Sequence, residues 1–313
     1  MTFSTAVASA TVASAERPCC DLAAPELAGG TGATGRTALP DARLILARDG
    51  VAARSLEGIV PAERYVETTL QQAIVPAAAL RRGPAPDAEQ MDQLLFGELF
   101  EVLDEAGGWA FGQARRDGYV GYVEASGLGP QGSAPTHTVR ALRTYGYSGP
   151  SIKTAPVGLY SMNALVTAEG REGRFVKTSG GWFVEDHLAP VDASAADFVA
   201  VAERFVGTPY FWGGRTSVGL DCSGLVQQAL YAIGRPCPRD SDQQAALGEP
   251  VPAAQLRRGD LVFWRGHVSI MINDTDIVHA NGNRMAVTVE PLAEAVARTS
   301  ANGGGDPTAY RRL

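Results

Sequence analysis

The sequence predicts an α+β fold in three parts, and three observations carry that prediction. Residues 193–313 open with two stretches of helical apolar spacing and continue as four short β runs. Residues from about 65 to 130 alternate short apolar runs with Asp-Gly and Gly-Gly pairs, which are hairpin signals. Residues 137–191 repeat the theme as a strand, a glycine turn, an aromatic strand and a closing Gly-aromatic-x-Val. That internal repetition predicts two small β-barrels of about 60 residues each ahead of the α+β part. The expected division is a leader over 1–40, a first barrel with an N-terminal extension over 41–132, a second over 133–192, and the α+β domain over 193–313.

The opening MTFSTAVASATVASAERPCC has small residues and Ala-x-Ala-like sites. It lacks a basic n-region and a leucine-rich core, so it reads as a disordered, small-residue leader, with a secretory signal as the alternative. Cys19 and Cys20 then read as incidental exposed thiols. AIVPAAALRRGP, LLFGELFEVLDEAGGWAFGQA and RRDGYVGYV supply the first barrel; THTVRALRTYGY and ALVTAEGREGRFVKTSGGWFVEDHLAPV supply the second. Phe198, Val201, Phe205 and Val206 have helical spacing, with Ser194 or Asp197 as cap and Gly207 as terminator. A second helix starts at Asp221-Cys222-Ser223-Gly224. Leu225, Val226, Ala229, Leu230 and Ile233 mark one apolar face, and Gly234 and Pro236 stop it. After the turn Arg258-Gly259-Asp260 come LVFW, HVSIMIN, DIVHANG and AVTVEPL, read as four strands.

The composition narrows the function classes. A chain of 313 residues, 45% hydrophobic and 19% charged, has material for real cores. Its net charge of −7 argues against a nucleic-acid partner, which wants a basic face. No apolar run reaches the length of a membrane span. Only Cys222 and Cys237 fall in the folded part, which is no disulfide scaffold and fits a reducing cytosol.

The chemistry centres on Cys222. A thiol attacks as the thiolate, and a helix N-terminus or a nearby imidazole lowers its pKa. Cys222 has the helix start by sequence. His267 lies 45 residues on, after a glycine and at the start of a strand, where its ring can face the helix end. His279 lies 12 residues further, the length of one hairpin, so adjacent strands would set the two imidazoles side by side. Cys222, His267 and His279 thus read as nucleophile, base and orienting group. A zinc site from Cys222, Cys237, His267 and His279 is the rival, but it lacks the close cysteine pair that zinc sites usually have. Gly213-Gly214 reads as a tight turn and not a phosphate loop, since no Lys-Ser/Thr follows. Asp221 has a structural role open to it as an N-cap.

The stretch GTPYFWGGRTSVGLDCSGLVQQAL, followed by PRDSDQQ, RRGDLVFW, GHVSIMI and DIVHANG, resembles the NlpC/P60 cysteine peptidases. The upstream tract is similar to the paired bacterial SH3-like domains of one branch, the γ-D-glutamyl-L-diamino acid endopeptidases. The resemblance implies a papain-like catalytic domain behind two SH3-like barrels. It implies cleavage of the γ-D-Glu–L-diamino acid bond in stem peptides with a free N-terminal L-Ala. It places Tyr210 near the oxyanion and substrate, with Asp221 and Ser223 flanking the nucleophile. Asp240 and Ser241 would bound the substrate end of the cleft, which Glu98 and Tyr119 from the first barrel would close. A closed acidic pocket suits a free ammonium. The expectation is a cytoplasmic monomer acting on peptidoglycan-derived peptides, with no metal or cofactor and no nucleic-acid or membrane partner. The alternatives are an exported wall hydrolase, an amidase or acyltransferase, and a non-catalytic peptidoglycan-binding module.

Overall fold

A computed structural model describes residues 41–313, so the expected leader, with Cys19 and Cys20, lies outside the described residues. The C-terminal domain is a six-stranded antiparallel sheet. Its order is Glu249–Pro250, Ala309–Arg312, Leu261–Trp264, His267–Met271, Asp276–Asn281 and Ala286–Pro291. All four β runs read from the sequence are strands in it. The helices Phe198–Glu203 and Cys222–Ala232 cover one face. Leu225, Val226, Ala229 and Leu230 pack there against Leu261, Phe263, Val268, Ile270 and Val278. Burying each such side chain stabilises by roughly 1.5–3 kcal/mol.

The sheet's other face, with Val262, Trp264, Met271 and Ile277, packs on Ala295 of another helix, Leu292–Ala301. That helix and the strand Ala309–Arg312 were not read from the sequence. Asp197, not Ser194, caps the first helix, its carboxylate accepting the Val199 N–H at 2.8 Å. The second helix stops where expected, with Gly234 at φ +73°.

One apolar face was expected on the helix Cys222–Ala232, yet Cys222 through Tyr231 are all buried. The polar side is covered by the N-terminal parts of the chain. Gln227 Nε2 donates to Asp117 at 2.9 Å, and Asn163 Nδ2 donates to Gln228 Oε1 at 2.8 Å. Periodicity reports only apolar contacts, so a face buried through amides escapes it.

The first N-terminal unit is a seven-stranded antiparallel sheet. It runs from Leu128–Pro130 at one edge to Gln90–Leu95 at the other, over a core of Leu80, Leu94, Phe100 and Val123. The next unit has a three-stranded and a five-stranded sheet around Val139, Tyr160, Val166 and Phe183. Closed barrels were expected, and none forms among the described residues. The seven-stranded sheet keeps two edges, and the second unit is split in two. At one edge the Gln93 carbonyl accepts from Arg215 of the C-terminal domain and not from a closing strand. No helix among the described residues is long and apolar enough to cross a membrane.

Candidate active site

Cys222 is the first residue of its helix, and Asp221 fixes that start. One Asp221 oxygen accepts the Gly224 N–H at 2.7 Å; the other accepts the Gly213 N–H at 2.9 Å. Gly213 has φ +71°, open to glycine at little cost. A Cβ on Gly224 would strike the Gly214 carbonyl oxygen, so the helix and the preceding turn meet only through glycines. Arg239, fully buried, grips Asp221 with both terminal nitrogens and donates to Ser223 Oγ at 2.8 Å. Asp221 and Ser223, expected beside substrate, therefore have their polar atoms engaged in holding the nucleophile helix.

The partner strand His267–Met271 lies against this helix. Cys222 and Val268 share one core cluster, and the Val268 N–H is near enough to pull the thiol pKa down, which places the thiol beside the residue that follows His267. His267 Nε2 and His279 Nδ1 are 2.8 Å apart, with ring centroids at 5.0 Å. Antiparallel pairing of Ile270 with Val278 and Met271 with Ile277 sets that approach. His279 Nε2 in turn meets Glu290 Oε1 at 2.7 Å, and both Glu290 oxygens are held by Arg298. Among the described residues His267 Nδ1 has no hydrogen-bond partner, so it is the ring nitrogen free for a reacting group.

Burial, then the Asp221 carboxylate, pushes the Cys222 thiol up to about 12, against the pull of the Val268 and Ser223 N–H groups and Arg239. Burial, then the neighbouring His279, pushes His267 down to about 3. The lowered thiol pKa expected from the helix start is thus overridden by burial in this structure. Burial thus favours the neutral thiol and the neutral imidazole over the ion pair. The thiolate population then grows only as pH rises. Alkylation of Cys222 by iodoacetamide should be slow at pH 7 and climb with pH past the range of an ordinary thiol, about 8.5. A rate already flat from pH 6 upward would contradict a neutral resting pair.

Tyr210 is half-buried, and its hydroxyl pKa is raised by burial and then by Cys222 and Asp221, which puts it near the thiol. Asp240 caps the short helix Ser241–Gln244, whose Gln244 Nε2 donates to the Ser223 carbonyl at 3.0 Å. The Tyr119 hydroxyl donates to Asp240 Oδ2 at 3.0 Å, so the first N-terminal sheet does reach this end of the site. Ser241 is half-buried and makes no side-chain hydrogen bond among the described residues.

Two results depart from the expected pocket. Glu98 is 2% exposed and bound to Arg215 at 2.6 Å, Arg116 at 2.6 Å and the Leu95 N–H at 3.1 Å. Its carboxylate joins domains and offers nothing to a ligand. Arg43, which drew no attention in the sequence, donates to Asp240 at 2.7 Å and to Asp242 and Asp41 besides. The carboxylate expected to receive a substrate cation already faces one. Arg43 and Asp240 are 199 and 197 residues from their partners Asp242 and Arg43, so no local pattern could announce the contact. As for zinc, no group of three or more His, Cys, Asp or Glu among the described residues is placed to hold a metal.

Residues 207–303 match the NlpC/P60 family, and residues 80–128 match the bacterial dipeptidyl-peptidase SH3 domain. The chain is 27% identical over 240 residues to a γ-D-glutamyl-L-lysine dipeptidyl-peptidase of Bacillus subtilis, covering 69% of this chain and 80% of that one. It is 36% identical over 107 residues to the peptidoglycan endopeptidase RipB of Mycobacterium tuberculosis, covering 29% of this chain and 44% of that one. The crystal structure of an NlpC/P60 family protein from Bacillus cereus superposes with a TM-score of 0.66 at 21% identity, over 78% of this chain and 99% of that one. The fold is shared with that structure. Residues 207–303 thus form an NlpC/P60 domain with a bacterial SH3-type domain ahead of it, and the chain is a cysteine peptidase.

Proposed function

We propose that this cysteine peptidase is a peptidoglycan endopeptidase that hydrolyses the γ-D-Glu–L-diamino acid bond of stem peptides with a free N-terminal L-Ala. The observation that carries the reading is Cys222 at a helix start beside the strand of His267, whose far nitrogen is held by His279. The dipeptidyl-peptidase named in Bacillus subtilis supports the bond, and Asp240 with Tyr119 supports recognition of an ammonium.

In this reading the proton leaves Cys222 Sγ for His267 Nδ1, and the thiolate attacks the γ-glutamyl carbonyl. His267 then gives the proton to the leaving amine. A water activated by the same ring hydrolyses the thioester and frees the dipeptide. Tyr210 stands near the developing oxyanion. The role in recycling small wall fragments, the cytoplasmic location and the monomeric state belong to the same proposal. Cell fractionation and sedimentation test the last two.

The decisive experiment incubates the protein with L-Ala-γ-D-Glu-diamino acid tripeptide and with its N-acetylated form, products read by mass. Cleavage of the free-amine peptide alone is expected. Equal cleavage of both would replace the ammonium pocket with a wall-hydrolase reading. Because Arg43 competes for Asp240, Arg43→Ala should lower KM for the free-amine peptide roughly three- to tenfold at unchanged kcat, the scale of one partly exposed ion pair. A raised KM would make Arg43 a substrate contact instead.

A further inference from the structure

We infer that Glu290, held by Arg298, is a positioning residue that fixes which nitrogen of His279 carries the proton, and through it which nitrogen of His267 is free to take the thiol's. The inference rests on the roles proposed for Cys222, His267 and His279. It adds two residues that sequence reasoning left out.

A neutral imidazole has one N–H and one lone pair. To accept a proton at Nδ1, His267 must carry its own proton on Nε2. That N–H can only donate to His279 Nδ1, 2.8 Å away, if His279 Nδ1 is a lone pair. His279 must then be protonated on Nε2, and an acceptor must face that nitrogen. Two groups do so. Glu290 Oε1 stands at 2.7 Å and accepts. The Asn281 amide stands at 3.1 Å and presents Nδ2, a donor. Its orientation is set from elsewhere: Asn281 Nδ2 donates to Thr288 Oγ1 at 2.8 Å, and Oδ1 accepts the Arg284 N–H at 2.8 Å.

Glu290 and Asn281 thus ask for opposite tautomers of His279. The carboxylate wins while it is ionised, because its bond is shorter and charge-assisted. Arg298 keeps it so. Burial pushes the Glu290 carboxyl up, but the hydrogen bonds from Arg298 and His279 outweigh it and hold it below the usual carboxylate range. Arg298 lies on the helix Leu292–Ala301, eight residues on from Glu290, and that helix packs on the sheet face away from the nucleophile helix.

Without Glu290, Asn281 sets the register. His279 would move its proton to Nδ1 and donate it to His267 Nε2. His267 would then carry its proton on Nδ1, facing the thiol, and could not receive another there while neutral. In the working chain the thiol proton passes to His267 Nδ1. The resulting imidazolium donates from Nε2 to His279, and His279 donates to Glu290. No proton reaches the carboxylate, and none is lost.

The structure also offers a way to test this apart from folding. A cavity of about 230 Å³, lined by Trp264, His267, His279, Asn281 and Arg298 among others, opens beside the pair. Glu290 does not line it, but both of its partners, His279 and Arg298, do, so a small carboxylate entering there meets the groups that Glu290 meets. Glu290→Ala is expected to lower kcat on the tripeptide about 100-fold with KM within about threefold, the range for partners of a functional histidine. Added formate should restore at least about tenfold of that loss in Glu290→Ala and nothing in His279→Ala. Glu290→Gln keeps an acceptor oxygen but loses the charge and part of the Arg298 grip, so it should fold like wild type and lose less kcat than Glu290→Ala. Wild-type kcat in Glu290→Ala would overturn the inference, as would a folded Glu290→Ala whose loss formate does not touch.

The substrate reading can fail separately, if wild type cleaves neither peptide. The inference is then read on the thiol itself. Glu290→Ala should slow iodoacetamide alkylation of Cys222 at pH 7 about tenfold, and formate should recover it. An unchanged alkylation rate would overturn it.

Discussion

Cys222→Ala is expected to leave a folded protein whose hydrolysis of γ-glutamyl peptide falls at least ~10⁴-fold, the loss seen when a covalent nucleophile is removed from an intact cleft. The side chain is small and packs at the helix start among Tyr210 and Val268, so its removal costs stability on the order of 1 kcal/mol. Asp221, Arg239 and the two glycines that shape the helix start do not depend on sulfur. Cys222→Ser is the sharper variant. It keeps an oxygen at the same position, but a hydroxyl holds its proton far more tightly than a thiol. The same burial that raises the thiol would raise the alcohol, and His267, pushed down to about 3, is a weak base for it. Serine should therefore be nearly as inactive as alanine. The check is product formation by mass beside a thermal melt of each variant. Activity within tenfold of wild type in either folded variant would remove sulfur from the reaction.

The sequence made this region legible because its signals are local. Asp221 as cap, Cys222 at the first turn, Gly234 as terminator, and the strand openings at Gly266-His267 and Asp276 are each set by neighbours within a few residues. The approach of His267 to His279 follows from a hairpin of 12 residues. What was not legible depends on partners brought together by folding. Glu98 looked available because nothing near it in sequence neutralises it; its partners are Arg116 and Arg215, 18 and 117 residues away. Arg239 follows Cys237-Pro238 and reads as a surface residue until Asp221 is placed beside it. Glu290 sits at the end of a strand run, and its role appears only once His279 is paired across from Thr288. One signal was available. LAEAVARTSA carries Glu294 and Arg298 four apart, with apolar Leu292, Ala295 and Val296 at helical spacing, a pattern that would have placed Arg298 on a helix after the strand Ala286–Pro291. The barrels were overread because hairpin signals specify neighbouring pairs of strands and say nothing about whether the last strand returns to the first.

Arg215→Met is expected to destabilise the protein by roughly 3–5 kcal/mol, because it strips one of two cations from each of the buried carboxylates Asp92 and Glu98. Arg215 is 0% exposed and lies on the strand Arg215–Thr216 just before the nucleophile helix. It meets Glu98 at 2.6 Å and Asp92 at 2.9 Å, and its Nε donates to the Gln93 carbonyl at 2.8 Å. Those three partners belong to the first N-terminal sheet and its edge. Asp92 also touches Arg239 at 2.7 Å, and Arg239 holds Asp221. The chain of charges runs from the N-terminal sheet to the cap of the nucleophile helix without reaching solvent. Methionine fills much of the volume but leaves Glu98 with Arg116 alone and the Gln93 carbonyl without its donor. At roughly 2–4 °C per kcal/mol for a chain of this size, the melting temperature should fall about 10 °C. Arg215→Lys tests whether charge or geometry carries the effect: one ammonium cannot serve Asp92, Glu98 and the Gln93 carbonyl at once, so it should recover only part of the loss. A melting temperature within about 2 °C of wild type for Arg215→Met would mean the buried network costs as much to desolvate as it returns. The two domains would then be held together by the amide contacts of Gln227 and Gln228, and the position of Asp221 would not depend on the N-terminal sheet.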